Sequence, residues 1–158
     1  LHKIRATDEL RKERRLRMEI PDEVRRELVI QAPQDRVWRA LTEAEQLTRW
    51  FPDKAAEVDL RPGGAIRIEW QDGEFDDGMV EVVDDPSRFV FLWHGAGFDS
   101  QQTRVEFSLE AIDGGTRLLV VGSGFSKVRE DKRASAWKDN DGGWTHELGE
   151  LKTYLEAA

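Results

Sequence analysis

Hydrophobic and polar residues alternate with a period of two along the middle of this chain, and a helical period takes over only in short stretches around it. Side chains in a strand point to opposite faces in turn, so the alternation marks a sheet with one wet side. Val24 to Gln31 opens the pattern, with Leu28 and Ile30 on one face and Glu27, Val29 and Gln31 on the other, and Ala32-Pro33 stops it. Val37, Ala40 and Leu41 then fall at helical spacing between Asp35 and Leu41. Thr42, three residues before Glu45, reads as a capping box for a second short helix that reaches Trp50 and ends at Pro52.

Six further strands follow. Ala56, Val58 and Leu60 oppose Glu57, Asp59 and Arg61; after the turn at Pro62-Gly63-Gly64, Ile66, Ile68 and Trp70 oppose Arg67 and Glu69. Phe75 to Val83 predicts a strand with Gly78, Val80 and Val82 inward and Glu81 outward, closed by Asp84-Asp85-Pro86. Arg88 to His94 is apolar on both faces, Phe89, Phe91 and Trp93 alternating with Val90 and Leu92. Thr103 to Ala111 directs Val105, Phe107 and Leu109 inward, Asp113-Gly114-Gly115 turns the chain, and Thr116 to Gly122 is the last strand.

After a polar connection around Phe125, which reads as exposed, a helix starts between Ala134 and Asn140 and runs to Glu156. Trp144, Leu148, Leu151 and Leu155 form one stripe along it, with Tyr154 at its edge. Gly142-Gly143 costs about 1 kcal/mol per glycine relative to Ala, a sign of close packing, a kink or a late start. An antiparallel sheet with one apolar face needs a cover, and this stripe is the long candidate. The pattern therefore predicts an α+β fold, a strongly bent seven-stranded antiparallel sheet around a long C-terminal helix, with two short helices after strand one.

Composition narrows the setting. A chain of 158 residues fits one domain, large enough to bury roughly 68–70% of its unfolded surface. The absence of cysteine excludes disulfides, thiolate metal sites and cysteine nucleophiles. No apolar run approaches the ~18 residues of a membrane span, so a cytoplasmic location and no membrane partner are expected. Residues 1–19 hold seven Lys or Arg against four acids, and with the whole chain at −8 the remainder sits at −11. Such a body repels nucleic acid. Residues 1–19 are expected to form a basic arm outside the core, a solvated helix or sequence upstream of a natural start at Met18, with residues 20–158 as a single domain.

Ala32-Pro33 with Val37-Trp38-Arg39-Ala40-Leu41-Thr42, Leu47 with Trp50-Phe51, Arg61-Pro62-Gly63-Gly64, Gly78 with Val80-Glu81-Val82, Trp93, and Thr103-Arg104-Val105-Glu106-Phe107 occur here in a telling order. Gly114-Gly115-Thr116-Arg117-Leu118 and Gly143-Trp144 with Leu148, Leu151 and Tyr154-Leu155 complete it. From about residue 24 to 157 the chain resembles the START-like (SRPBCC) superfamily of helix-grip folds. More narrowly it resembles the family named after the C-terminal domain of the activator of the heat-shock-protein-90 ATPase. The resemblance implies the helix-grip fold and either a ligand cavity or a chaperone-type contact of the stress response; it transfers no catalytic residues.

A sheet bent around one helix is hard to fill with side chains alone, which leads to a cavity walled by Trp50, Phe51, Trp70, Phe91, Trp93, Phe107, Trp144 and Leu148. Sites of this kind are mostly apolar with a few orienting polar groups; the competing reading is that the rings simply fill the core. Catalysis lacks its residues: the strand acids Glu57, Asp59, Glu69, Glu81, Glu106 and Glu110 point outward by alternation, and His2, His94 and His146 have no partners at metal-ligand spacing. Asp76-Asp77 and Asp84-Asp85 read as turn acids. No metal and no cofactor are expected. Val90, Leu92, Phe98 and Phe125 read as an outer apolar patch for a protein partner or a homodimer mate, with a monomer equally open. The leading expectation is non-catalytic binding of a small hydrophobic or amphipathic ligand. A co-chaperone-like interaction module comes second, and a cyclase- or hydratase-type enzyme third.

Overall fold

The computed structural model describes residues 11, 22–50, 55–69, 73, 75–94, 103–125 and 144–157. Strand β1 (Glu23–Ile30) leads into helices α1 (Gln34–Thr42) and α2 (Ala44–Trp50). Strands β2 (Ala55–Val58), β3 (Ala65–Glu69), β4 (Phe75–Asp84), β5 (Arg88–His94), β6 (Thr103–Ile112) and β7 (Gly115–Ser123) follow. Residues 144–156 form helix α3. The seven strands make one antiparallel sheet in the order β1-β7-β6-β5-β4-β3-β2. Sequential strands pair as hairpins except β1, which returns to close on β7 from Glu23 opposite Ser123 to Ile30 opposite Thr116.

Pro33 separates β1 from α1. Lacking an N–H, it cannot extend the ladder, while its carbonyl accepts the amides of Arg36 at 3.0 Å and Val37 at 3.1 Å. The expected capping box does not form. Thr42 is the last residue of α1, and its buried hydroxyl donates back to the Trp38 carbonyl at 2.8 Å. Glu43 takes the capping place instead, accepting the Leu47 amide at 2.9 Å. A side chain that reaches an i−4 carbonyl is lost to the next helix.

Strict alternation also fails once in the sheet. The β4–β5 register shifts between Val80 and Val82, so Val82 pairs with Val90 and Val83 with Phe89. A bulge exchanges the faces beyond it. Val83, not Val82, therefore joins the core side, and Val83 packs against the buried cluster. Leu60, expected inward, lies outside β2 and is exposed.

The concave face carries the core: Val24 and Ile30 of β1, Ile66, Val80, Phe89, Phe91, Val105, Phe107, Leu118 and Val120 from the other strands, and Trp144, Leu148, Leu151 and Leu155 of α3. The expected seven-stranded antiparallel sheet around a C-terminal helix, with short helices after strand one, is what the chain forms. Contacts fix α3 over the β1–β7–β6 side. Trp144 meets Phe107 edge-on at 5.8 Å and lies over Gly122, and Arg26 Nε reaches Thr145 Oγ1 at 3.3 Å. Lys152 Nζ donates to the Val29 carbonyl at 2.7 Å, and the Gln31 amide donates to Glu156 Oε2 at 2.8 Å. These two bonds occupy backbone groups of an edge strand that would otherwise invite another chain. Arg36 Nη1 donates to the Leu155 carbonyl at 3.0 Å, which satisfies the end of α3.

Candidate functional site

An aromatic train runs along the concave face. Trp38 of α1 meets Phe89 at 6.2 Å, Phe89 meets Phe91 at 5.4 Å and stacks on Phe107 at 6.2 Å, Phe91 meets Trp93 at 5.6 Å, and Phe107 meets Trp144. Of the expected wall residues, Phe91, Trp93, Phe107 and Trp144 come together in this train, and Leu148 joins them in the buried cluster. Trp50 belongs to the same buried cluster, and its indole Nε1 donates to the Ala40 carbonyl at 2.8 Å, which fixes it as a brace between α2 and α1. Phe51 and Trp70 lie outside the described residues.

Burial grades along the train. Phe89 is fully enclosed and Phe91 and Phe107 are buried, whereas Trp93 is half-buried. Trp93 stands opposite Gly78 on one side and Thr103 on the other. A Cβ at Gly78 would collide with the Leu92 carbonyl oxygen and press on Ile66, so glycine keeps β4 tight against β5 there. The half-buried ring thus sits on a floor of Ile66, Gly78 and Phe91, beside the part of the sheet that α3 grips.

Polar groups also reach this floor. Asp76 belongs to β4 and pairs with buried Ile68, which places it on the concave face; it is not a turn acid. Thr103 is buried on the same face, in line with Val105 and Phe107. Alternation from Val80 back to Asp76 carries the first signal in the sequence; nothing in the sequence singles out Thr103. Trp38 and Phe89 are the aromatics the cavity reading left out, and their periodicity shows them as core.

A sequence profile of the family "Activator of Hsp90 ATPase homolog 1-like protein" matches residues 31–156. The chain belongs to this family. Solved structures agree: DynU16, titled a putative protein in the dynemicin biosynthetic locus, superposes with a TM-score of 0.71 at 28% identity over 86% of this chain. The match covers 48% of DynU16, so this chain spans about half its length. A protein from Mesorhizobium loti gives 0.76 at 25% identity over 86% of this chain and 98% of its own. The Aha1 dimer from Colwellia psychrerythraea gives 0.70 at 21% identity over 85% and 96%, a likeness of fold. A search of curated proteins finds no match.

The convex face of this helix-grip domain carries a network of ion pairs. Arg88 donates to Glu106 Oε1 at 2.7 Å, and Arg104 bridges Glu106 and Glu81, each at 3.3 Å. Arg117 joins Glu27 at 3.1 Å and Glu110 at 3.3 Å. Burial alone would raise the Glu106 carboxyl, but the hydrogen bond and charge of Arg88, then those of Arg104, outweigh it and hold the group below the usual carboxylate range.

Val90, opposite Glu106 in this lattice, is 0% exposed, not part of an open patch. Phe125, expected on the surface, is also 0% exposed and joins the core, its amide donating to the Asp22 carbonyl at 3.3 Å. Leu92 is half-buried, and Phe98 lies outside the described residues. Among the described residues, the large apolar side chains open to solvent on this side are Phe75, 49% exposed, Val29, 44%, and Met79, 41%. A cleft of about 330 Å³ lined by Ala55, Ala56, Glu57, Arg67, Glu69, Gly73 and Phe75 opens on this side, with the Arg67 guanidinium 3.8 Å above the Phe75 ring. This cleft lies across the sheet from Trp93 and Trp144. Among the described residues no group of three metal-ligating side chains converges, and no helix is long and apolar enough to cross a membrane.

Proposed function

We propose that this chain binds a small hydrophobic or amphipathic molecule between the concave face of its sheet and helix α3, without covalent chemistry. The observation that carries the reading is the grading of the aromatic train from enclosed Phe89 to half-buried Trp93. A ring of that size is normally buried for its apolar area, and leaving it part-open beside Gly78 and Phe91 makes a surface for a guest. Trp93, Trp144, Phe91, Phe107 and Leu148 form the wall in this reading, with Trp50 as a brace; Phe51 and Trp70, expected in the same wall, lie outside the described residues. The strand acids Glu57, Glu69, Glu106 and Glu110 stand on the convex side by register, away from such a guest, which supports binding over catalysis. Native mass spectrometry of protein purified from its own host, without detergent, is expected to show a bound mass that leaves on denaturation. Absence of that mass, together with failure to take up an apolar dye such as Nile red, contradicts the reading.

A second reading rests on exposed Phe75 and Met79. Apolar side chains in the open amid a network of ion pairs suit a protein contact, and the family's namesake activates a chaperone ATPase. Phe75→Ser is expected to abolish co-purification with a chaperone while leaving dye uptake intact if this face is the contact. The same face serves a homodimer equally well. The expected basic arm, residues 1–19, falls outside the described residues except for residue 11.

A further inference from the structure

Three threonines are buried in the described structure, and two of them have their hydroxyls satisfied. Thr42 donates to the Trp38 carbonyl and Thr116 to the Ala32 carbonyl, both at 2.8 Å. The third, Thr103, is 2% exposed, and its hydroxyl meets no partner among the described residues. A buried hydroxyl without a partner forfeits the bond it made to water, so such groups are few and each calls for a cause.

Register places this side chain between the two wall tryptophans. Trp93 stands directly across from Thr103 on β5, and the Cα atoms of such partners lie roughly 4.5–5.5 Å apart. On the other flank, Val105 is the next residue of β6 on the same face and pairs with Gly122, over which the Trp144 indole lies. Positions two apart along a strand are roughly 7 Å apart, so one small guest spans Thr103 and both rings. The same-face neighbours Phe91, Trp93 and Val105 are apolar or aromatic. A guest made only of hydrocarbon leaves the Thr103 hydroxyl unpaired, whereas a neutral oxygen on the guest pairs it. Because a hydroxyl both donates and accepts, an alcohol and a ketone suit it equally.

We propose that the Thr103 hydroxyl is the hydrogen-bonding anchor of the guest site, so that the chain distinguishes apolar molecules bearing a neutral hydroxyl or carbonyl oxygen from their hydrocarbon analogues. This rests on the binding reading above. Trp93 and Trp144 supply the apolar surfaces on either flank, and Thr103 replaces the water that the guest's oxygen gives up on entry. A site with a polar group to satisfy discriminates against the analogue that leaves it unpaired.

Calorimetric titration with a hydrocarbon, an alcohol and a ketone of similar shape tests it: 2-methylnaphthalene, 2-naphthylmethanol and 2-acetylnaphthalene. Thr103→Val keeps the shape and removes the hydroxyl. In that variant the affinities of the alcohol and the ketone, each relative to the hydrocarbon, are expected to fall about fivefold, while 2-methylnaphthalene binds no more weakly than to the wild type. Thr103→Ser, which keeps the hydroxyl, is expected to hold both ratios within about twofold of the wild type. Thr103→Val is also expected to melt no lower than the wild type, because an unpaired buried hydroxyl is removed. Ratios that stay unchanged in Thr103→Val, or fall as far in Thr103→Ser, overturn the anchor and leave the apolar site standing. So does a lowered melting temperature of Thr103→Val, which would show the hydroxyl already bonded inside the protein. Failure of all three probes to bind the wild type overturns the binding reading itself.

Discussion

Trp144 lies over Gly122, edge-on to Phe107, and it stays almost fully buried without being enclosed on every side. A fully packed Trp costs ~3–5 kcal/mol when truncated to Ala. If part of its surface faces a guest site, Trp144→Ala is expected to cost about 2–3 kcal/mol in chemical denaturation and to weaken dye uptake together with it. A loss of about 5 kcal/mol with uptake unchanged would make the ring plain core. The two concave glycines make a sharper pair. A Cβ at Gly122 would meet Trp144 Nε1 at 3.6 Å, an ordinary contact, whereas one at Gly78 would strike backbone. Gly122→Ala is therefore expected to change stability by less than about 0.5 kcal/mol, and Gly78→Ala to lower it by more than about 2 kcal/mol, both read from denaturant midpoints.

Among the elements, α3 is held to the edge of β1 by Lys152 and Glu156, which bond to each other at 3.0 Å as well as to the strand backbone. The Glu156 carboxyl is held below the usual range first by the hydrogen bond from the Gln31 amide and then by Lys152. A carboxyl depressed in the folded state stabilises fully above its unfolded value, about 4.3 for glutamate, and that contribution drains away as the pH falls through the native value. Glu156→Gln is thus expected to lower the melting temperature at pH 7 and to match the wild type near pH 3. An equal deficit at both pH values would mean that the charge of Glu156 plays no part. Elements themselves were largely legible in the sequence, because a period of two on seven segments and one stripe on α3 leave few arrangements that bury every apolar face. Three features were not. The Thr42–Trp38 back-bond is a competition between two local hydrogen bonds that the sequence permits equally. The bulge at Val80 to Val82 depends on the partner strand. Burial of Val90 and Phe125 depends on which distant side chains lie over them.

For the whole molecule, the two sides of the sheet differ in chemistry. The convex side carries arginine–carboxylate pairs and exposes Val29, Phe75 and Met79; the concave side holds the aromatic train, with polar groups at its Trp93 end. Sequence reasoning turned Phe91, Trp93, Phe107, Trp144 and Leu148 inward because alternation and the helical stripe direct them there, and all five lie in or against the buried cluster. It missed Asp76 because an aspartate next to another aspartate reads as a turn. Thr103 stayed hidden because a hydroxyl's lack of a partner is a property of the folded surroundings. In the proposed reading an apolar guest lies between the sheet and α3. Its most direct test is a two-dimensional NMR titration of the indole N–H and methyl signals with 2-methylnaphthalene. Saturable shifts are expected at the Trp93 and Trp144 indoles and the Leu148 methyls, with Met79 unmoved. Shifts confined to Met79 and the Phe75 cleft, or none at the probe's solubility limit, would contradict it.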